Sequence, residues 1–249
     1  MFARFIARTA MLLVVAVAPA FAQDTTDCGC AVIRAQHQPN AFQRRSSGVF
    51  SFIQSRPTGA FGDNVHFGYG GNAAYMFRLD DAGIFSLRAD AGVLVYGHES
   101  KEVPLSSTIG GRILVDVSTM NYIYPLTIGP QITWPSGSIR PYANAGIGGQ
   151  FFVTQSSVKG SENIGDFAST TNYWDKTGLW TAGGGVYIPL SQRGLKVMLD
   201  LGAQFVSGGR ARYLKPGSIE DLPDAQLRIT PMESETHMTL VRVGLKVSL

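Results

Sequence analysis

The sequence predicts an all-β chain, a closed antiparallel transmembrane β-barrel of about eight strands with long extracellular loops and short periplasmic turns. Three observations lead there. In the stretch His237–Leu249, Val241, Val243, Leu245, Val247 and Leu249 are apolar, while Arg242, Gly244, Lys246 and Ser248 are polar or small, so the two sets take opposite faces of one strand. Several other runs alternate over about ten residues, longer than the ~5–6 of a soluble strand and enough to cross a bilayer at a tilt. The polar connections between them mostly alternate long and short, which leaves both ends of the barrel segment on the periplasmic side.

Residues 1–22 have the pattern of a secretory signal: Arg4 and Arg8, an apolar core from Met11 to Val17, and Ala20-Phe-Ala22 as a small-x-small cleavage site. The apolar run is too short to span a membrane, and the rest of the chain has none near that length, so any span must be made of strands. Residues 23–46 show no periodicity and form a periplasmic leader; residues 47–249 form the barrel domain. In the leader, Cys28 and Cys30 flank one glycine. An oxidising compartment favours a disulfide, but the loop it would close is strained, and no His or Cys cluster follows to complete a metal site. The signal carries two Arg and no acid, so the net charge of +3 falls to +1 on its removal, which argues against a nucleic-acid partner.

The first strand lies within Ser47–Arg56, followed by a Pro- and Gly-bearing loop to Asp63. In the second, Val65, Phe67, Tyr69, Tyr75, Phe77 and Leu79 face away from His66, Asn72, Ala74, Met76 and Arg78. In the third, Phe85, Leu87, Ala89, Ala91, Val93 and Val95 face away from Ser86, Arg88, Asp90, Leu94 and Tyr96. Both polar faces fall on even numbers, and a three-residue turn Asp81-Ala-Gly83 with a left-handed glycine keeps that parity. It pairs Arg78 with Ser86, Met76 with Arg88 and Ala74 with Asp90, and sets His66 opposite His98. A long polar connection, Gly97–Ser118, whose second half Gly111–Asp116 reads as extended structure above the membrane, precedes a fourth strand from Met120 to Trp134, in which Pro125 and Pro130 predict a bulge. The fifth runs from Pro141 to Thr154 and leads into a polar loop, Gln155–Thr177. The sixth carries Trp180, Ala182, Val186, Ile188 and Leu190 around Gly183-Gly-Gly185; the seventh sets Leu195, Val197, Leu199, Leu201, Ala203 and Phe205 against Lys196, Met198, Asp200, Gly202 and Gln204. The longest connection, Val206 to about Thr236, leads to the closing strand and holds Ala225-Gln-Leu-Arg-Ile229, which reads as a strand extension.

Two motifs carry a resemblance. Arg242, Gly244, Val247 and Leu249 are spaced like the closing-strand assembly signal of bacterial outer-membrane barrels, with Leu where that family usually has an aromatic residue. Pro141-Tyr-Ala-Asn-Ala-Gly-Ile-Gly148 is similar to a strand opening of small OmpA/OmpW-like barrels. From about Ser47 to Leu249 the chain therefore resembles that superfamily. The resemblance implies the bacterial outer membrane as location, its lipid as surroundings and the barrel-assembly machinery as a partner of the C-terminal strand.

A barrel of this size is filled by side chains. Its expected interior holds Arg78, Arg88, Asp90, Lys196, Asp200, Arg242 and Lys246, and buried charges must be paired, so Asp90 and Asp200 should each find a cation, with Arg242 within reach of Asp200. His66 and His98 alone make neither a metal site nor an acid–base pair. Gly183-Gly-Gly185 and Gly110-Gly111 lack the Lys-Ser/Thr of a phosphate loop, and Glu162, Asn163 and Asp166 read as a solvated loop in preference to a calcium site. With no Ser-His or Asp-His pair at specific local spacing, His237 is the best acid–base candidate. The expectation is a non-enzymatic structural or surface-binding membrane protein, without catalytic residues, metal or cofactor and with an unidentified extracellular ligand. A conduit for small hydrophobic molecules ranks second and a lipid-modifying hydrolase third.

Overall fold

The computed structural model describes residues 45–104, 114–159, 168–191, 196–222 and 226–248. The signal and most of the leader with Cys28 and Cys30, the Gly110-Gly111 and Glu162–Asp166 segments, the 192–195 turn and Leu249 lie outside them. The elements are β1 (Ser46–Pro57), a single helical turn α1 (Gly59–Gly62), β2 (Gly68–Arg78), β3 (Phe85–Pro104), β4 (Leu114–Thr133), β5 (Arg140–Lys159), β6 (Ala168–Ser191), β7 (Lys196–Tyr213), β8 (Ile219–Leu222), β9 (Gln226–Ile229) and β10 (Met232–Ser248). Eight of the strands hydrogen-bond in a closed antiparallel ring, β1-β10-β7-β6-β5-β4-β3-β2; β8 and β9 form a separate hairpin.

The faces follow the sequence's period of two. Phe50, Phe52, Tyr69, Tyr75, Leu87, Leu126, Ile128, Ile132, Ile147, Trp180, Val241 and Val243 are exposed on the outside, a continuous apolar belt. Between them Met76, Arg88, Gln131, Tyr142, Tyr187, Asp200 and Arg242 are buried inside. Water would leave such a belt unfavourably exposed, whereas lipid matches it, and ring closure pairs the backbone groups that lipid could not. The β2–β3 register has Arg78 opposite Ser86, Met76 opposite Arg88 and Ala74 opposite Asp90. Gly83 supplies the required positive φ of 74°, and the Asp80 carboxylate accepts from Ile84 N–H and Phe85 N–H across the same turn.

Three expectations are corrected. The prolines in β4 insert no bulge: pairing lapses at Pro125 toward β3 and at Pro130 toward β5, then resumes in the same register on both sides. A proline removes a donor, but the neighbouring residues restore the ladder without an extra residue. The bulge on that ladder lies instead between Val95 and Gly97 of β3. Much of the long polar connections is also strand: β3 and β4 pair out to Pro104 and Leu114, β5 and β6 to Val158 and Ala168, and β7 and β10 to Tyr213 and Met232. Above the belt neither face of such a ribbon is lipid-facing, so the apolar alternation disappears while the Thr, Val and aromatic content still suits a strand. Finally, the segment after β1 is not only a loop, because α1 turns Phe61 into the barrel, where it is fully buried.

Candidate functional site

The lumen has two layers. Toward the short turns, Arg88 on β3 makes a bidentate ion pair with Asp90, Nε to Oδ2 and Nη2 to Oδ1, both 2.8 Å. The pair is i, i+2 on one strand, so the pleat itself sets both groups on the inner face. Asn72 donates to Asp90 at 3.0 Å, and Arg88 Nη1 donates to Gln131 Oε1 at 3.0 Å. Across the bore Asp200 Oδ1 accepts from Tyr142 Oη at 2.6 Å, and its Oδ2 lies 3.9 Å from Arg242 Nε. That separation is an ion pair and too long for a hydrogen bond. The guanidinium instead donates to Gln204 at 3.0 Å, Asn144 at 3.2 Å and Tyr142 Oη at 3.3 Å.

Two tyrosines join these systems. Tyr142 and Tyr187 stack with centroids 4.4 Å apart. Arg242 sits over the Tyr142 ring at 5.7 Å and Lys246 Nζ over the Tyr187 ring at 4.4 Å, so each ring carries a cation on its electron-rich face. Gly202 makes this arrangement possible, since a Cβ there would lie 2.5 Å from Tyr142 Oη and 3.0 Å from Arg242 Nε. The structure thus gathers Arg88, Asp90, Asp200, Arg242 and Lys246 of the expected set. Arg78 is half-buried, and Lys196 is exposed at the very start of β7. Strand parity put Lys196 with the lumen set, whereas the structure leaves it exposed at the strand's first position. Tyr142 and Tyr187, the centre of the cluster, were not singled out by sequence; their signal is an aromatic residue within an inward-facing, otherwise small or polar set.

Toward the long loops the interior mixes an apolar cluster with buried polar pairs, Gln150 with Thr236 and Thr154 with Asn121. Ile53, Leu94, Ile123, Phe152, Leu179, Val206, Met238 and Leu240 line it, and Phe61 of α1 fills the middle. Phe61 meets Tyr213, Phe152 and Tyr96 edge-on, with centroids 4.9, 6.1 and 6.2 Å away. Above it, the connection after β7 folds over the mouth. Leu214 is buried and its carbonyl accepts from Tyr96 Oη at 3.0 Å, while Gly217 N–H donates to Glu99 at 2.7 Å.

Glu99 stands above the apolar belt. Burial works against its charge, but hydrogen bonds from Lys101 and Gly217 N–H outweigh it and hold the carboxyl below the ordinary range. A depressed folded-state value contributes stability that is present above the ordinary carboxylate titration and lost as pH falls through the folded value. Acidification below the ordinary glutamate titration is therefore expected to release the 214–218 connection. Amide exchange at Gly217, corrected for its intrinsic pH dependence, should accelerate there, and Glu99→Ala, which removes the acceptor, should be fast at every pH.

The other titratable candidates separate. His66 is exposed before β2 begins, and the β2–β3 ladder ends at Tyr69 and Val95, while His98 pairs with Met120 on β4 and contacts Ser118 at 3.2 Å. Among the described residues no three His, Cys, Asp or Glu are grouped to hold a metal. His237 stands on the outer wall between Ser207 and Glu235.

A closed, even-stranded ring with an apolar outer belt and a filled bore decides the class. The architecture is that of a small outer-membrane β-barrel. No protein-family model matches the chain, and no curated protein matches it in sequence. Solved structures do match at low identity. Neisserial surface protein A is 10% identical, with 82% of this chain and 97% of that one covered and a TM-score of 0.43. Ail, the attachment invasion locus protein of Yersinia pestis, is 14% identical over 82% and 97%, TM-score 0.40. The outer-membrane protease OmpT of Escherichia coli is 10% identical over 84% and 98%, TM-score 0.31. Likeness at this level transfers no role, and the class rests on the ring and belt themselves.

Proposed function

We propose that this is a bacterial outer-membrane barrel, exported by its N-terminal segment, whose lumen is structural and which acts through its outer wall and the ribbons that rise above the belt. The observation that carries this reading is the double filling of the bore, an aromatic layer around Phe61 over a hydrogen-bonded ion network. A conduit along the axis needs an open bore, and in both layers packed side chains, Phe61 above and Arg88, Tyr142 and Tyr187 below, occupy it. The ribbons mix charges instead of concentrating one sign: Lys101 pairs with Glu99 at 2.8 Å and Arg212 with Glu233 at 2.9 Å. Ail has been crystallised with a heparin analogue, but a polyanion is not favoured here, because these cations already have partners. Lipid contacts the belt, and β10, with Gly244 paired to Ser51 of β1 and Asp200 of β7, is the strand through which the assembly machinery would close the ring.

In planar bilayers the purified protein is expected to give little or no conductance. A large, steady, anion-selective current would overturn the closed-lumen reading and make Arg88, Arg242 and Lys246 a transport pathway.

A further inference from the structure

On the outside of the barrel, where β7 meets β10, three polar side chains stand in a hydrogen-bonded row at the upper edge of the apolar belt. Ser207 and His237 are ladder partners, with Ser207 Oγ 3.3 Å from His237 Nδ1. The other ring nitrogen, Nε2, lies 3.1 Å from Glu235 Oε2. The backbone of His237 is fixed as well, since its carbonyl accepts from Thr58 N–H at 2.9 Å. Directly below, Phe205 stacks on the imidazole at 6.3 Å and touches Trp180 at 5.8 Å, and both aromatics are exposed toward lipid. A nucleophile, a base in contact with it and a carboxylate orienting that base are thus in place.

Two further features suit a reaction at this spot. The β7–β10 register shifts between Glu235 and Thr236, so Gly209 has no ladder partner on β10, and the β6 ladder ends at Gly208. An extra residue at a bulge disrupts the ladder locally and re-aims its neighbours. The trio also opens onto a groove of about 350 Å³ lined by Trp180, Ser207, Gly209 and His237. Trp180 is shared with a second groove of about 630 Å³, which continues down the lipid-facing wall past Ile147, Ala182, Ile128 and Leu87. An acyl chain fits this path, with its ester at the water boundary and its tail along the wall.

We propose that Ser207, His237 and Glu235 hydrolyse long-chain acyl esters of outer-leaflet amphiphiles. This goes beyond the surface-acting reading and replaces the non-enzymatic expectation with a specific chemistry. Ser207 Oγ attacks the ester carbonyl carbon as its proton passes to His237 Nδ1, and the carbonyl electron pair moves to oxygen within the groove that Gly209 lines. Collapse breaks the bond from the acyl carbon to the alcohol oxygen, which leaves with the proton from Nδ1. Water, deprotonated by His237, then attacks the acyl-serine, releasing the fatty acid and returning the proton to Ser207. Ester and water become acid and alcohol, with no oxidant or metal consumed. Glu235 is a positioning residue: it accepts from Nε2–H and stabilises the imidazolium formed in each half.

The test uses the full-length protein refolded in mixed micelles, with a diacyl glycerophospholipid in one arm and purified lipopolysaccharide in the other, and fatty-acid release as readout. Release in either arm supports the proposal and identifies the amphiphile; release in neither overturns it. Ser207→Ala and His237→Asn should each lower release by about 10²-fold or more. Glu235→Gln should reduce it less, with Glu235→Asp recovering part of the loss. Retained heat-dependent gel mobility shows that each variant is folded. A fluorophosphonate should label Ser207 in the wild type, as located by peptide mass spectrometry, and labelling should fail in His237→Asn. No adduct at Ser207, or equal hydrolysis by Ser207→Ala, would falsify the triad. Conductance is a separate readout, so a failed triad leaves the closed lumen standing.

Discussion

Asp200→Ala is expected to lower the unfolding free energy by roughly 3–5 kcal/mol, and Arg242→Ala by a similar amount. Both side chains are withdrawn from solvent, Asp200 completely and Arg242 to 3% exposure. Removing Asp200 leaves the guanidinium facing only neutral acceptors, Gln204, Asn144 and Tyr142. Removing Arg242 leaves the carboxylate with one hydrogen bond, from Tyr142. In either case a charge remains in a low-dielectric bore without its partner. The double variant strands neither, so its loss should fall short of the sum by about 0.5–3 kcal/mol. Urea unfolding in lipid vesicles measures all three, and strict additivity would show that the ion pair at 3.9 Å carries no coupling. Asp200→Asn separates the effects, since it keeps an acceptor for Tyr142 while removing the charge.

What the sequence made legible was much of what depends on a period of two, though not the expected outward Val65, which is buried, nor a His66–His98 pair. Faces, the β2–β3 register and the inward placement of Asp200 and Arg242 follow from alternation, because a pleated strand has only two sides. Depth along the bore does not follow from it. Lys196 shares the inward parity of Asp200 but lies at the rim, and Leu94, Ile123 and Phe152 share the parity of polar residues but line an apolar layer. Nor does alternation mark where lipid ends, so most of the β3–β4 ribbon, apart from the extended Gly111–Asp116 stretch, and the β5–β6 ribbon read as loops. Cross-strand chemistry is hidden for another reason. Ser207 and His237 lie 30 positions apart, and only the β7–β10 register brings the hydroxyl to the ring. No local spacing rule finds such a pair, because the 214–231 connection between the strands sets the interval.

Phe61→Ala is the second large effect, a loss of about 3–5 kcal/mol, as for a buried aromatic truncated in a core that cannot collapse around the space. The surrounding ring is a closed hydrogen-bonded wall, so Tyr96, Phe152 and Tyr213 cannot follow the missing side chain inward without breaking their own contacts, Tyr96 to the Leu214 carbonyl and Tyr213 to Ser234 at 3.0 Å. Phe61→Leu restores most of the volume and should recover more than half of the loss. The variant also tests whether the two layers close the bore in series. With the aromatic layer opened, Arg88, Asp90, Tyr142 and Tyr187 still fill the short-turn half, so Phe61→Ala alone should remain non-conducting in planar bilayers. Conductance should appear when Phe61→Ala is combined with Tyr187→Ala, which removes the ring between Gln131, Arg88 and Lys246. Steady current through Phe61→Ala by itself would mean that the ion network leaks, and that α1 is the seal of this barrel.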